Sequence, residues 1–149
     1  MSHIKDILLC DDHPVCLMGI EYVLKGSSFE PFHLRKAVSG REALAEIQTR
    51  VPDMLVLDLS LPDFTGVELL KAIREMYRDL KVVILTNSDN PHLLKQALQF
   101  RPQAIIQKTH SLENMADVFL MAHEAVKPPY LDPAIQKLLA ESVTRPNLT

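Results

Sequence analysis

The sequence predicts an α/β fold in which a parallel sheet is covered by helices on both faces. Three observations carry that prediction. Short unbroken apolar runs, such as ILLC at 7–10, MLVL at 54–57 and VVIL at 82–85, suit strands buried on both sides, whereas a half-exposed strand would alternate. Each run stops abruptly at a polar residue, and an amphipathic stretch of helical period follows it. The alternation of strand and helix repeats five times, and right-handed crossovers between parallel strands place the helices on either side.

In order, Ile4 to Cys10 supplies the first strand, which closes on Asp11, Asp12, His13 and Pro14. A helix follows with Pro14 in its first turn, and Val15, Met18, Gly19, Tyr22 and Val23 are expected to form its inner stripe. After a break over 26–31, Phe32 to Val38 makes a second strand, less buried because Arg35 and Lys36 interrupt it. Ser39 caps the next helix, with Glu42 completing a capping box and Ala43, Leu44 and Ile47 facing inward. The central unit is MLVLDLSLPDFTGVELL at 54–70: a buried strand ending on Asp58, a loop punctuated by Pro62 and Gly66, then a helix with Gly66, Leu69, Leu70, Ile73 and Tyr77 at helical spacing.

Lys81 to Thr86 is the fourth strand, and Leu93, Leu94, Ala97 and Leu98 mark a short helix after it. Ala104 to Ile106 is a brief fifth strand that stops before Lys108. Ser111 can cap another helix, with Leu112, Met115, Ala116, Phe119 and Val126 inside. The whole is a flavodoxin-like three-layer sandwich with a five-stranded parallel sheet in the order 2-1-3-4-5. Pro128 and Pro129 close the domain at residue 127. Residues 128–149 are expected to be a linker in which Leu131, Ile135, Leu138, Leu139 and Ser142 form a short amphipathic helix.

The composition narrows the function. A chain of 149 residues accommodates one domain with a core plus a tail. A net charge of −3 and a pI near 6.0 argue against a nucleic-acid surface. Cys10 and Cys16 are expected to be reduced thiols. With no apolar run of about 18 residues and no export leader, neither a membrane nor secretion is indicated, and a cytoplasmic location is the expectation.

A parallel sheet delivers the ends of its strands to one edge, which would bring together Asp11, Asp12, Asp58, Thr86 and Lys108. Carboxylates packed together repel and raise one another's pKa, so they call for a compensating cation. Lys108 supplies one charge. A hard divalent ion, Mg²⁺, suits the remainder, because it takes oxygen ligands, keeps several waters and is often shared with a phosphate. In such chemistry Asp58 is the nucleophile of an aspartyl-phosphate, Lys108 neutralises the transferring oxygens and Thr86 hydrogen-bonds one of them.

This set, with Pro62 and Gly66 after the central Asp, resembles the response-regulator receiver domain of two-component signalling over roughly residues 4–126. The resemblance implies a phosphorylation-dependent switch rather than an enzyme, with Asp58 phosphorylated by a sensor histidine kinase. It further implies Mg²⁺ held by Asp12, Asp58 and the backbone carbonyl of Ser60, with Asp11 acting mainly through water, and Thr86 as the switch hydroxyl. The DDHP corner followed by VCLMGIEYVL is similar to the LuxR/NarL-type subfamily of transcription regulators. In that subfamily a linker helix leads to a helix-turn-helix domain that often opens with Leu-Thr, as at Leu148 and Thr149. DNA would then be contacted only through an output domain absent from this chain. A stand-alone receiver with a docked C-terminal helix is the alternative, and a homodimer through the 93–126 face is a further expectation.

Two residues depart from the family pattern. Asn87 stands where a small residue usually follows the switch hydroxyl, and Ile105 where an aromatic ring often precedes the Lys. Two other functions are weaker. An Mg²⁺-dependent phosphatase with an Asp nucleophile usually needs a second acid at the place of Ser60, and a flavodoxin-like cofactor binder needs a phosphate cradle where Asp11 and Asp12 would repel it. The histidines at 3, 13, 33, 92, 110 and 123 lack the pairing of a helical metal site, and His13 is expected to cap its helix.

Overall fold

A computed structural model of the chain describes residues 5–25, 33–61, 63, 66–108 and 129–144, without the side chains of 23 and 142–144. The expected helix from Ser111 to Val126 lies outside the described residues. The strands are β1 (Asp6–Cys10), β2 (His33–Ala37), β3 (Met54–Asp58), β4 (Lys81–Thr86), β5 (Ala104–Gln107) and β6 (Tyr130–Leu131). They form one parallel sheet in the order β2-β1-β3-β4-β5-β6. The helices are α1 (Pro14–Lys25), α2 (Gly40–Thr49), α3 (Gly66–Met76), α4 (Pro91–Leu98) and α5 (Pro133–Thr144).

The flavodoxin-like order of the first five strands is the one the sequence predicts, and its physical basis is visible in the two cores. Along β1, β3, β4 and β5 successive side chains enter opposite faces. Leu8, Leu55, Leu57, Val82, Ile84 and Ile105 pack with α2, α3, α4 and α5, while Ile7, Leu9, Met54, Val56, Val83 and Ile106 pack with Leu17, Ile20 and Leu24 of α1. Burying each such side chain stabilises the fold by about 1.5–3 kcal/mol. At the first turn of α2, Ser39 Oγ accepts from Glu42 N–H at 3.1 Å, one half of the expected capping box, while the Glu42 carboxylate reaches back one residue further and accepts from Val38 N–H at 3.3 Å.

The face of α1 corrects the sequence reading. Val15, Met18 and Tyr22 are 83%, 66% and 82% exposed, and the buried stripe is Leu17, Ile20 and Leu24. The helix reads PVCLMGIEYVLK and is apolar almost all round, so two stripes of the same spacing compete and periodicity cannot choose between them. Glu21, paired with Lys25 and with Lys36 of β2, helps to set the rotation observed.

The tail also differs from expectation. Leu131 belongs to a strand, not a helix: β6 pairs with β5, matching Ala104 to Tyr130 and Ile105 to Leu131. Asp132 follows, 1% exposed, and clamps two elements at once. Its Oδ2 accepts from Gln107 N–H at 2.7 Å and its Oδ1 from Ile135 N–H at 3.1 Å, capping α5. Ile135 is fully buried, and Leu138 and Leu139 pack against the α4 side of the core.

A buried arginine reinforces the turn after α3. Arg74 donates to the carbonyls of Tyr77, Arg78, Leu80, Phe100 and Arg101 at 2.8–3.2 Å, tying the end of α3 to the end of α4. Arg101 has φ 55, a left-handed conformation that costs a side-chain-bearing residue about 1–2 kcal/mol. Its carbonyl is one of those that Arg74 engages.

Candidate functional site

The C-terminal ends of β1, β3, β4 and β5 meet at one edge of the sheet, and the local turns fix what each presents. After β1, Asp11 Oδ1 accepts from His13 N–H at 2.8 Å, an Asx-type turn that releases the chain into α1. The carbonyl of His13 accepts from Leu17 N–H, so His13 caps the helix through its backbone, as expected. After β3, Asp58 Oδ1 accepts from Ser60 N–H at 3.0 Å, and Gly66 N–H donates to the Leu59 carbonyl at 2.8 Å. A Cβ on Gly66 would lie 2.3 Å from Leu59 Cα, so this close approach requires glycine. Asp63, in the same loop, accepts from the Gly40 and Arg41 N–H groups at the α2 N-terminus, where a carboxylate is favoured.

Lys108 lies across this edge. Its Nζ is 2.7 Å from Asp11 Oδ2 and 3.0 Å from Asp58 Oδ2, and its side chain is 7% exposed. Its backbone N–H donates to the Thr86 carbonyl, locking the ends of β4 and β5 together. Thr86 is buried, and its hydroxyl accepts from Ser88 N–H at 2.9 Å. Asp12 is at the rim, with 35% of its side chain exposed. Asp11, Asp12, Asp58 and Lys108 therefore converge, with Thr86 at the end of neighbouring β4 and its hydroxyl on Ser88 N–H.

The electrostatics follow from burial. Burial pushes the carboxyl of Asp58 up, and the neighbouring Asp11 adds to this, while Ser60 N–H and Lys108 pull against it. Asp11 is equally buried, but the Lys108 ammonium 2.7 Å away and the hydrogen bonds from His13 outweigh desolvation and hold it below the usual carboxylate range. Burial alone would lower Lys108; its two carboxylate partners raise it instead. Burial lifts the thiol of Cys10 to about 12 and, with a contribution from Asp11, that of Cys16 to about 11. Both are free, and neither is a nucleophile at neutral pH.

The donor set fits a divalent cation. Asp11 Oδ2 and Asp12 Oδ1 are buried without a hydrogen bond, although Lys108 lies beside the former as an ion pair and His13 beside the latter. Ligand atoms of Asp11, Asp12, His13 and Asp58 all lie within 4.8 Å of one another. His13 is the residue the sequence reading left out of this cluster. A template search for paired histidines could not find it; its adjacency to two acids at a strand end was the available signal. Of the two departures from the family pattern, Asn87 is exposed and Ile105 is fully buried in the core.

Comparison with known proteins agrees with this geometry. Residues 7–119 match the response regulator receiver domain. The chain is 34% identical over 92 residues to the transcriptional activator protein ExaE of Pseudomonas putida, covering 62% of this chain and 42% of that protein. It is 31% identical over 112 residues to the response regulator protein VraR of Staphylococcus aureus, covering 74% and 53% respectively. The chain thus spans about half the length of the curated relatives it matches. Among solved structures, a two-component response regulator of the LuxR family from Aurantimonas sp. SI85-9A1 superimposes with a TM-score of 0.84 at 21% identity, over 97% of this chain and 100% of that one. The isolated REC domain of RcsB from Salmonella enterica serovar Typhimurium gives 0.80 at 20% identity, over 93% and 99%. No described helix is long and apolar enough to cross a membrane. With the matched residues running from the first strand past the site lysine, the chain belongs to the response regulator receiver domain family.

Proposed function

We propose that this chain is a phosphorylation-dependent switch whose phosphoacceptor is Asp58. The observation that carries the reading is the placement of Asp58 Oδ2 at 3.0 Å from Lys108 Nζ, beside Asp11 and Asp12 with their buried, hydrogen-bond-free oxygens. A carboxylate oxygen of Asp58 attacks the phosphorus of a phosphohistidine on a sensor histidine kinase. The new O–P bond forms as the P–N bond breaks, and the imidazole leaves with the bonding electron pair. Burial makes the Asp58 carboxylate more basic and so a better nucleophile, while Lys108 stays with the transferring oxygens as they gain charge. Asp11, Asp12, Asp58 and the Ser60 carbonyl would hold Mg²⁺, which supplies further charge neutralisation.

The phosphoryl group carries about −1.5 to −2 charges, and because the carboxylate gives up its own charge on forming the acyl phosphate, Asp58 gains about one negative charge net. The Thr86 hydroxyl, which accepts from Ser88 N–H, then donates its O–H to a phosphoryl oxygen, and the β4–α4 turn moves with it. Residues 1–127 constitute the receiver and 128–149 the linker. Names such as transcriptional activator among the relatives support control of transcription by the whole protein, for which the family resemblance implies a helix-turn-helix output domain and a cytoplasmic location. The structures of RcsB dimers bound to DNA support a homodimer as the active form. Docking of α5 on β5 and α4 favours, as a second reading, a receiver that acts by protein contact alone.

Acetyl phosphate or beryllofluoride with Mg²⁺ should shift backbone NMR signals around Thr86 and Lys108, and Asp58→Asn should remove the response. An identical response in Asp58→Asn would exclude Asp58 as acceptor.

A further inference from the structure

Two tethers run from the strand ends of the site to the helices beside β4 and β5. The first is a run of side-chain turns. Thr86 Oγ1 accepts from Ser88 N–H at 2.9 Å, Ser88 Oγ from Asn90 N–H at 3.1 Å, and Asn90 Oδ1 from His92 N–H at 3.0 Å, where Asn90 caps α4. A displacement of the Thr86 hydroxyl is therefore carried to the start of α4. The second tether is Asp132. Its Oδ2 holds Gln107 N–H, one residue before the site lysine and opposite Thr86 in the β4–β5 register, and its Oδ1 caps α5 through Ile135 N–H. Its own N–H donates to the Ile105 carbonyl at 3.2 Å, and its carbonyl accepts from Gln136 N–H at 3.0 Å. Thus fastened to β5, α5 also packs on α4, with Leu138 and Leu139 bordering the core that holds Leu94, Ala97 and Ile135.

We propose that α5 is a brake on the switch, and that Asp132 is the positioning residue that sets it. The inference rests on the switch reading above and deepens it by naming the element that regulates it. Thr86, drawn toward a phosphoryl oxygen, pulls its run of turns and the start of α4. α4 can follow only by sliding against α5, which Asp132 and the fully buried Ile135 pin in place. Close-packed interfaces hold discrete arrangements and do not deform continuously, so the docked tail favours the unphosphorylated position of α4. Coupling of this kind is reciprocal. Whatever factor the docked tail takes from phosphoryl binding, the bound phosphoryl group takes from docking. Phosphorylation thereby loosens α5, and the signal leaves the receiver through its tail.

Titration of the 149-residue chain with beryllofluoride in saturating Mg²⁺, followed by the amide NMR signals of Thr86 and Lys108, tests this. Wild type is compared with Asp132→Ala and with the double variant Leu138→Ala, Leu139→Ala. Both variants should reach half-response at a concentration about fivefold below that of wild type, the low end of ordinary allosteric coupling. A substitution that only weakened the fold would not sharpen the response. The leucine pair leaves the strand ends intact, so its result is independent of any disturbance at Lys108. In wild type, saturating beryllofluoride should also speed amide exchange at Ile135 and Gln136 by about the same factor while exchange in β1 stays unchanged. An equal or higher half-response concentration in the leucine variant would overturn the brake, and so would tail exchange in wild type that beryllofluoride leaves unaltered. Wild type without any response at Thr86 and Lys108 would remove the switch reading and the brake with it, whereas a wild-type response that the leucine pair leaves unshifted removes the brake alone.

Discussion

Gly66 shows how one residue fixes the loop beside the phosphoacceptor. A methyl group there would sit 2.3 Å from Leu59 Cα and 2.8 Å from Leu59 C, and backbone atoms cannot rotate aside as a side-chain tip can. Gly66→Ala should therefore lower stability by about 1–3 kcal/mol, the range for overpacking a filled site. The midpoint of urea unfolding reads this, and an unchanged midpoint would show that the loop yields freely. The sequence marked Gly66 as a loop breaker before a helix, but the reason for glycine, contact with the residue after Asp58, required three dimensions. His13 was obscured differently. Its contacts include Asp58 and Lys108 at the ends of β3 and β5, and only Asp11 and Asp12 are near it in sequence.

The elements divide into those that local pattern determines and those that tertiary contact determines. β1, β3 and β4 were legible because a strand buried on both faces must be apolar throughout, and α2 because Ser39 and Glu42 write its start. The rotation of α1 was not, since an almost wholly apolar helix offers no polar face to turn outward. β6 is two residues long, below the reach of any periodic signal, and Asp132 in the tail reads as an ordinary turn acid. In the structure Asp132 joins β5, β6 and α5. Replacing it with Ala leaves Gln107 N–H and Ile135 N–H without their acceptor, at a cost of about 1–3 kcal/mol for each buried group left unpaired. Asp132→Ala should lower the unfolding midpoint and speed amide exchange at Gln107 and Ile135 while leaving exchange in β1 in line with the global loss. Unaltered exchange at Gln107 would show that β6 pairing alone secures the tail.

At the scale of the whole molecule, the site is a charge cluster whose members push stability in opposite directions with pH. Asp11, held low, contributes stability present above its unfolded value of 3.8 and lost as pH falls through its folded pKa. Lys108, held high, contributes below its unfolded value of 10.5 and is lost as pH rises through its folded pKa. Asp58 has the reverse sign for an acid. Its folded pKa is raised above 3.8, so stability is lost as pH rises from 3.8 through that folded value and the whole penalty is present above it, even with Lys108 beside it. Asp58→Asn should thus be more stable than wild type at pH 7, with the gain shrinking as pH falls toward 3.8. Thermal unfolding across that interval measures it, and a gain that does not shrink would assign the effect to something other than ionisation. The order β2-β1-β3-β4-β5-β6 has one last consequence. A further chain segment seeking to extend this sheet finds β6 too short to template a neighbour and, on the opposite flank, β2 carrying the exposed ammonium of Lys36. Neither border of the described sheet invites strand addition, so copies of this protein crowded at high concentration should meet through helices and remain dispersed instead of growing into fibrils.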